Sequence, residues 1–101
     1  MGTDTLAVKI DRSLKRGKSI PVAVSEAWRI SFENAKRITT LVAISKQQVV
    51  GVFAAGSPSL IRTGNNAGRV KFNSIVKLDK TQWKTYEKMT PFKFNSAVKY
   101  L

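Results

Sequence analysis

The chain has 101 residues, of which 43% are hydrophobic and 24% charged, and it contains neither cysteine nor histidine. These absences exclude disulfides, nearly exclude a zinc site and remove the histidine base of most hydrolytic triads. The 18 Lys and Arg residues against 6 Asp and Glu residues give a net charge of +12, and a domain this basic is first a candidate binder of polyanions. We predict one basic domain over 1–101, with no enzymatic activity and no cofactor.

The first third of the chain predicts a strand followed by two helices. Apolar residues alternate with others in the first stretch, as in a strand with one buried face. Pro21 suits the first turn of a helix, where its missing N–H is not needed, and Ser31 suits the N-cap of a second helix. We therefore predict, in chain order, a strand over 5–10, a polar loop over 11–19, a helix over 21–30 and a helix over 32–37.

A β-hairpin is the clearest local feature of the sequence. Residues 39–45 and 49–53 are rich in β-branched and apolar side chains, and the short turn Lys46-Gln47-Gln48 separates them. Gly51 lies inside the second of these strands. A glycine at such a position predicts a bulge or a close approach of another part of the chain.

Beyond the hairpin, the sequence predicts extended segments around a loop, and then a helix. Glycine and asparagine concentrate in the loop over 63–68, because they adopt positive φ angles at low cost. Asp79 suits the N-cap of a helix over 80–89. The predicted extended segments are a short one over 59–61, a half-buried strand over 69–78 with a basic outer face, and a final one that begins at Phe92.

The order of these elements predicts an α+β fold. Short strands mixed with short helices favour a small antiparallel sheet flanked by helices, and such a sheet could close into a barrel. The longest apolar run has four residues, far fewer than the roughly 20 of a transmembrane helix. We therefore predict no membrane segment.

The basic residues define the candidate binding site. The loop over 63–68 lies between two arginines, and its glycines would let backbone N–H groups approach a phosphate. Residues 62–101 carry more than half of the net charge and interleave aromatic residues with cations, as stacking grooves for nucleic acid do. The predicted site consists of the phosphate-binding side chains Arg12, Lys15, Arg16, Lys18, Arg29, Arg62, Arg69 and Lys71, the loop residues Gly64, Asn65, Asn66 and Gly68, and the stacking residue Trp83.

Two structural alternatives accompany this prediction. The aromatic residues could form the core, since a small domain needs such side chains for burial. The loop could be only the turn of a hairpin.

Seven segments of the chain, over 6–10, 27–30, 35–37, 41–44, 49–53, 68–72 and 98–101, occur in an order that resembles small basic phage and bacterial proteins. The Val-Gly-Val-Phe stretch after the hairpin is also similar to the sheet of PUA-like domains, in their EVE and ASCH groups. This resemblance implies a compact β-barrel with helices that binds RNA or modified DNA bases.

We predict that the protein is a non-enzymatic module that binds nucleic acid in the cytoplasm of a bacterial cell or phage-infected host. Its mechanism would be phosphate neutralisation with release of counterions, together with aromatic stacking. One alternative is a phage-type anti-defence protein that sequesters a nucleotide or cyclic-nucleotide signal, with its pocket at a homo-oligomer interface. Another is an inhibitor that docks on an acidic protein. A continuous basic stripe favours nucleic acid, and a closed pocket with convergent arginines favours a nucleotide.

Overall fold

The computed structural model of the chain describes residues 4–25, 28–65, 67–88 and 97–101. Strands form its centre, and the helices are short. In chain order the elements are β1 (Thr5–Lys9), α1 (Asp11–Lys15), α2 (Ile20–Ser25), α3 (Phe32–Ala35), β2 (Thr40–Ser45), β3 (Gln48–Ala54), β4 (Pro58–Leu60), β5 (Val70–Phe72), β6 (Val76–Lys77), α4 (Lys80–Glu87) and β7 (Val98–Tyr100).

The main sheet has five strands in the order β6-β3-β2-β1-β7, and β4 pairs with β5 in a separate two-stranded sheet. The predicted α+β class is confirmed. The predicted antiparallel sheet is wrong at one pair, because β1 and β2 run parallel, with Thr5 opposite Thr40. A parallel pair requires a crossover connection, and α1, α2 and α3 provide it. Among the described strands, β6 and β7 are left as edges, so the predicted closure into a barrel is not seen.

The main sheet separates two apolar clusters, because successive side chains of a strand point to opposite faces. We call these faces the crossover face, which packs against α2 and the small sheet, and the α4 face. The crossover face buries Leu6, Val8, Leu41, Ala43 and Phe53 with Ala23, Val24, Trp28, Val70 and Phe72. The α4 face buries Ala7, Val42, Ile44 and Val52 with Trp83.

One loop prediction and one helix prediction need correction. The predicted loop over 11–19 contains α1, in which the Leu14 N–H donates to the Ile10 carbonyl at 3.0 Å and the Leu14 side chain packs on the core. The predicted helix over 21–30 is described as α2 only to Ser25. Trp28 is instead an extended residue that exchanges two backbone hydrogen bonds with Val70, at 2.8 and 2.9 Å. These bonds pair the N–H and the carbonyl of the buried Val70. A helix that continued through Trp28 would have used the Trp28 backbone groups itself and left those of Val70 without this partner.

The other helices follow their predicted capping residues. The Ser31 hydroxyl accepts the Asn34 N–H at 3.1 Å, which is the predicted N-cap of α3. Helix α4 begins at Lys80, directly after Asp79. The predicted end of α4 at residue 89, and the predicted extended segment at Phe92 and Phe94, lie outside the described residues. Of the predicted final segment, the structure describes β7 (Val98–Tyr100).

The predicted strand over 69–78 is divided between the two sheets. Val70 and Phe72 are buried and Lys71 is exposed, as predicted, but the strand ends there. Ser74 has a φ of 54°, which turns the chain out of the small sheet and into the main one. The alternation that buries Val70 and Phe72 predicts a buried Val76 as well, yet Val76 lies on the short edge strand β6 and is 60% exposed.

The predicted hairpin is confirmed as β2 and β3. Ala43 pairs with Gly51 and Ile44 pairs with Val49, so Val50 is the extra residue of a β-bulge. A Cβ atom on Gly51 would lie 3.0 Å from the Phe53 ring. The predicted bulge is therefore present beside Gly51, whereas the nearest atom belongs to a side chain of the same strand and is not a close approach of another backbone segment.

The turn of this hairpin can be improved. Lys46 and Gln47 have φ angles of 52° and 67°, the type I′ conformation that Asn-Gly adopts most readily. We expect Lys46→Asn combined with Gln47→Gly to raise the free energy of unfolding by about 1–2 kcal/mol, because left-handed conformations cost most residues about that much. Urea denaturation of the double variant and wild type measures the difference. An unchanged or lower stability would contradict the turn geometry.

Candidate functional site

The small sheet and its loop form a ribbon, residues 58–72, that carries much of the predicted site. Ser59 pairs with Lys71, and Leu60 pairs with Val70. The Trp28 segment lies along the other side of β5 through its two hydrogen bonds to Val70. The three neighbouring segments therefore present one outward face and one face toward the core.

Three predicted phosphate-binding residues lie on the outward face of the ribbon. Val70 and Trp28 are buried, so their neighbours Arg69 and Arg29 point away from the core. The register at Trp28 and Val70 places Arg29 opposite Arg69, where side chains are about 5 Å apart at Cβ. Lys71 is on the same side of β5 as Arg69. Like charges in such positions destabilise a sheet, so their arrangement favours an anionic ligand.

A β-bulge shapes the end of the ribbon. The Ile61 carbonyl accepts the Gly68 N–H at 2.8 Å, while the Ile61 N–H donates to the Arg69 carbonyl at 2.8 Å. Gly68 has a φ of 89° and Gly64 a φ of 80°, which confirms the predicted use of glycine at these positions. The bulge ends the pairing and leaves Arg62 in the exposed loop.

The loop stands clear of the rest of the molecule. The described residues of 62–68 are all exposed. A Cβ atom on Gly64 or on Gly68 would meet nothing within 4 Å. The loop connects the two paired strands of a hairpin, and its described surface is open. Asn66, a predicted loop residue, lies outside the described residues.

An open groove of about 330 Å³ adjoins the ribbon. Helix α2 forms one side and the end of β5 forms the other. The side-chain amide of Asn73 already donates to the Ser59 hydroxyl at 2.6 Å and to the Ser57 carbonyl at 3.0 Å, so both of its N–H groups have partners within the protein. The groove is lined by Pro21, Val22, Ser25, Lys71, Phe72, Asn73, Ser74 and Ile75.

The other predicted cations lie on and after α1, separate from the ribbon. Arg12, Lys15, Arg16 and Lys18 are exposed there. Helix α2 lies between these two basic regions, because it contacts α1 and also lines the groove beside β5. The structure therefore divides the predicted site into two groups of cations.

Sequence reasoning missed a fifth cation beside α1. The Asp11 carboxylate accepts the Lys46 N–H at 2.8 Å and the Ser45 hydroxyl at 2.9 Å. These bonds hold the β2–β3 turn against α1 and place the exposed Lys46 near the α1 cations. The sequence contained one indication of this contact. Asp11 is the one acidic residue over 5–25, among several basic ones.

Trp83, the predicted stacking residue, is part of the core. It is 7% exposed and packs with Val42, Ile44 and Val52 on the α4 face. Its ring therefore offers no open face to a base in this arrangement, as the alternative of core aromatics held. Among the described aromatic side chains, Tyr100 is the exposed one, at 38%.

Comparison with known proteins adds no relative to this description. The chain matches no protein-family model, no curated protein and no solved structure. Within the described residues, no three acidic side chains converge into a group that could hold a metal ion. The described helices are also all too short or too polar to cross a membrane.

Proposed function

We propose that the protein binds nucleic acid without catalysing a reaction, and that the outward face of the ribbon is its principal contact. The observation that carries this proposal is the placement of three cations on the outward face of the ribbon, where Arg29 and Lys71 are exposed and Arg69 is half-buried. None of the three makes an ion pair with another described residue, so their charges are available to phosphates. Arginine also suits phosphate because its planar guanidinium donates two parallel hydrogen bonds.

The α1 cations extend the proposed contact. The molecule measures 37 × 31 × 25 Å, and one strand of duplex DNA places a phosphate about every 3.4 Å. A face spanned by the two longer axes, 37 and 31 Å, therefore lies beside about nine to eleven phosphates of a strand. Both basic regions could then contact one nucleic acid molecule, with affinity that falls steeply as salt rises.

Substitution of Arg69 tests the ribbon. We expect Arg69→Ala to weaken binding of nucleic acid by about 1–3 kcal/mol and to lower the dependence of log K on log salt by about 1, because one phosphate contact is lost. Fluorescence anisotropy with a labelled 20-base-pair duplex at several salt concentrations measures both quantities.

Lys99→Ala is the matched control for this experiment. Lys99 is exposed on β7, where it pairs with Ala7 of the α4 face, at the edge of the main sheet opposite β6, and its loss removes the same charge. We expect at most a small change in affinity. Equal effects of the two substitutions would show that only net charge matters and would overturn the assignment of the ribbon.

A nucleotide is the second candidate ligand, and the groove beside Lys71 is the observation that favours it. A groove of about 330 Å³ lies at the lower end of the volumes of small-molecule sites. Parallel binding assays with duplex DNA, single strands, RNA and cyclic dinucleotides across salt distinguish the candidates. Removal of Lys71 should nearly abolish binding of a nucleotide held in the groove, whereas it should only weaken binding of a long polyanion.

The remaining parts of the proposal rest on the sequence. The Val-Gly-Val-Phe segment of β3 supports a relation to PUA-like domains, and the lack of cysteine suits a cytoplasmic protein. An experimental structure with nucleic acid would test the relation, since it would reveal whether a base is held against the main sheet. Contacts confined to the ribbon and α1 would argue against it.

A further inference from the structure

The tip of the ribbon, which is the part beyond Ile61 and Gly68, is narrower than the rest of the molecule and could enter a groove of nucleic acid. Beyond Ile61 and Gly68 the chain continues for three residues on each side, at most about 10 Å at the rise of an extended strand. Its described residues are exposed, and the positions beside Gly64 and Gly68 are empty. The tip therefore begins as two chains joined between Ile61 and Gly68, with open space beside its described glycines.

These dimensions match one feature of B-form DNA. The major groove is about 12 Å wide and about 8.5 Å deep, and it admits a two-stranded β-ribbon. The minor groove is about 6 Å wide, so two paired strands enter it only where the DNA is deformed. The major groove of A-form RNA is deep and narrow, and side chains do not read it.

The side chains along the ribbon agree with such an insertion. Arg62 and Asn65 are exposed in the loop, and arginine and asparagine are the residues that pair most readily with the major-groove edges of guanine and adenine. Farther back, Arg69, Lys71 and Arg29 would meet the phosphates at the rim of the groove. No acidic residue occurs over 60–78, so the whole projection is free of repulsion from phosphate.

We propose that the exposed end of the ribbon, through Arg62 and Asn65, inserts into the major groove of B-form DNA, with these two side chains facing the base edges. This inference rests on the proposed function and narrows it from nucleic acid in general to duplex DNA. The cations farther back position the ribbon, and the loop gives the preference for DNA over RNA. In this arrangement phosphate contacts and base contacts come from separate parts of one ribbon.

The experiment compares the tip with the phosphate-binding face. We expect wild type to bind a 20-base-pair DNA duplex about tenfold more tightly than the RNA duplex of the same sequence. The variant Arg62→Ala/Asn65→Ala should lose that preference, by binding DNA about tenfold more weakly and RNA nearly as before. The variant Arg69→Ala/Lys71→Ala should weaken binding to both duplexes. Thermal melting verifies that each variant is folded.

Methylation interference locates the contact on the DNA. Dimethyl sulfate modifies N7 of guanine in the major groove and N3 of adenine in the minor groove. We expect modification at guanine N7 to block binding of wild type, and modification at adenine N3 to have little effect.

Three results would overturn the insertion. They are equal affinity for DNA and RNA duplexes, an unchanged preference in Arg62→Ala/Asn65→Ala, and interference confined to adenine N3. If these occur while Arg69→Ala/Lys71→Ala still weakens binding, the proposed function stands and only the insertion fails. If wild type binds no nucleic acid, both proposals fail.

Discussion

Gly56→Ala should lower the free energy of unfolding by about 3 kcal/mol, the upper part of the range for overpacking. A Cβ atom on Gly56 would lie 1.4 Å from the backbone oxygen of Asn73 and 2.6 Å from its carbonyl carbon. Side-chain rotation cannot relieve this contact, because the obstacle is backbone. The Asn73 N–H also donates to the Ser57 carbonyl at 2.9 Å, so moving either segment breaks a bond between them.

Gly64→Ala is the control for the effect of adding one methyl group. Gly64 has a φ of 80° and nothing within 4 Å of the new Cβ atom, so the cost is the backbone strain alone, about 1–2 kcal/mol. Urea denaturation of both variants gives the two values. A Gly56→Ala protein as stable as the Gly64→Ala protein would mean that the two segments are not in contact.

Val52→Asp should leave the chain largely unfolded. Val52 is fully buried on the α4 face, with Val42, Ile44 and Trp83 around it, and an unpaired carboxylate there costs several kcal/mol. That is a large share of the roughly 5–15 kcal/mol by which domains are stable. We expect the circular dichroism spectrum at 25 °C to lose its folded features, or a greatly lowered melting temperature if some fold remains.

Val76→Asp makes the same chemical change on the same face of the same sheet. Val76 pairs with Ala54, which is two residues after Val52 and therefore on the same face of the sheet. Unlike Val52, Val76 is 60% exposed. We expect a change in stability within about 0.5 kcal/mol, as at most surface positions. If Val76→Asp unfolds the protein as fully as Val52→Asp, burial by the α4 face is not what distinguishes the two sites.

The strands were largely predictable, and their arrangement was not. Alternation of apolar residues identified β1, β2 and β3, because it reflects burial of one face of a strand. The same alternation serves a strand in either direction, so it did not show that β1 and β2 are parallel. The predicted strand was also extended through Ser74, a polar residue at an inward position of the alternation, where a positive φ and a change of sheet interrupt the strand.

The members of the candidate site were predictable as residue types but not as a group. Arg29 and Arg69 are 40 positions apart in the sequence, and only the pairing of Trp28 with Val70 makes them neighbours. The helix predicted through Trp28 concealed that pairing. Trp83 was assigned to a ligand because apolar aromatic side chains look alike in sequence whether a core or a base covers them, and the α4 face decided between the two.

The attachment of the ribbon has a mechanical consequence. Three residues, 55–57, join it to β3, and three residues, 73–75, join it to β6. Both tethers lead to strands that are paired with each other, and they touch where Gly56 lies against Asn73. The ribbon therefore cannot rotate independently of the main sheet, and its orientation is set when the domain folds. Because the ribbon is already oriented before a ligand binds, little orientational entropy is lost on binding.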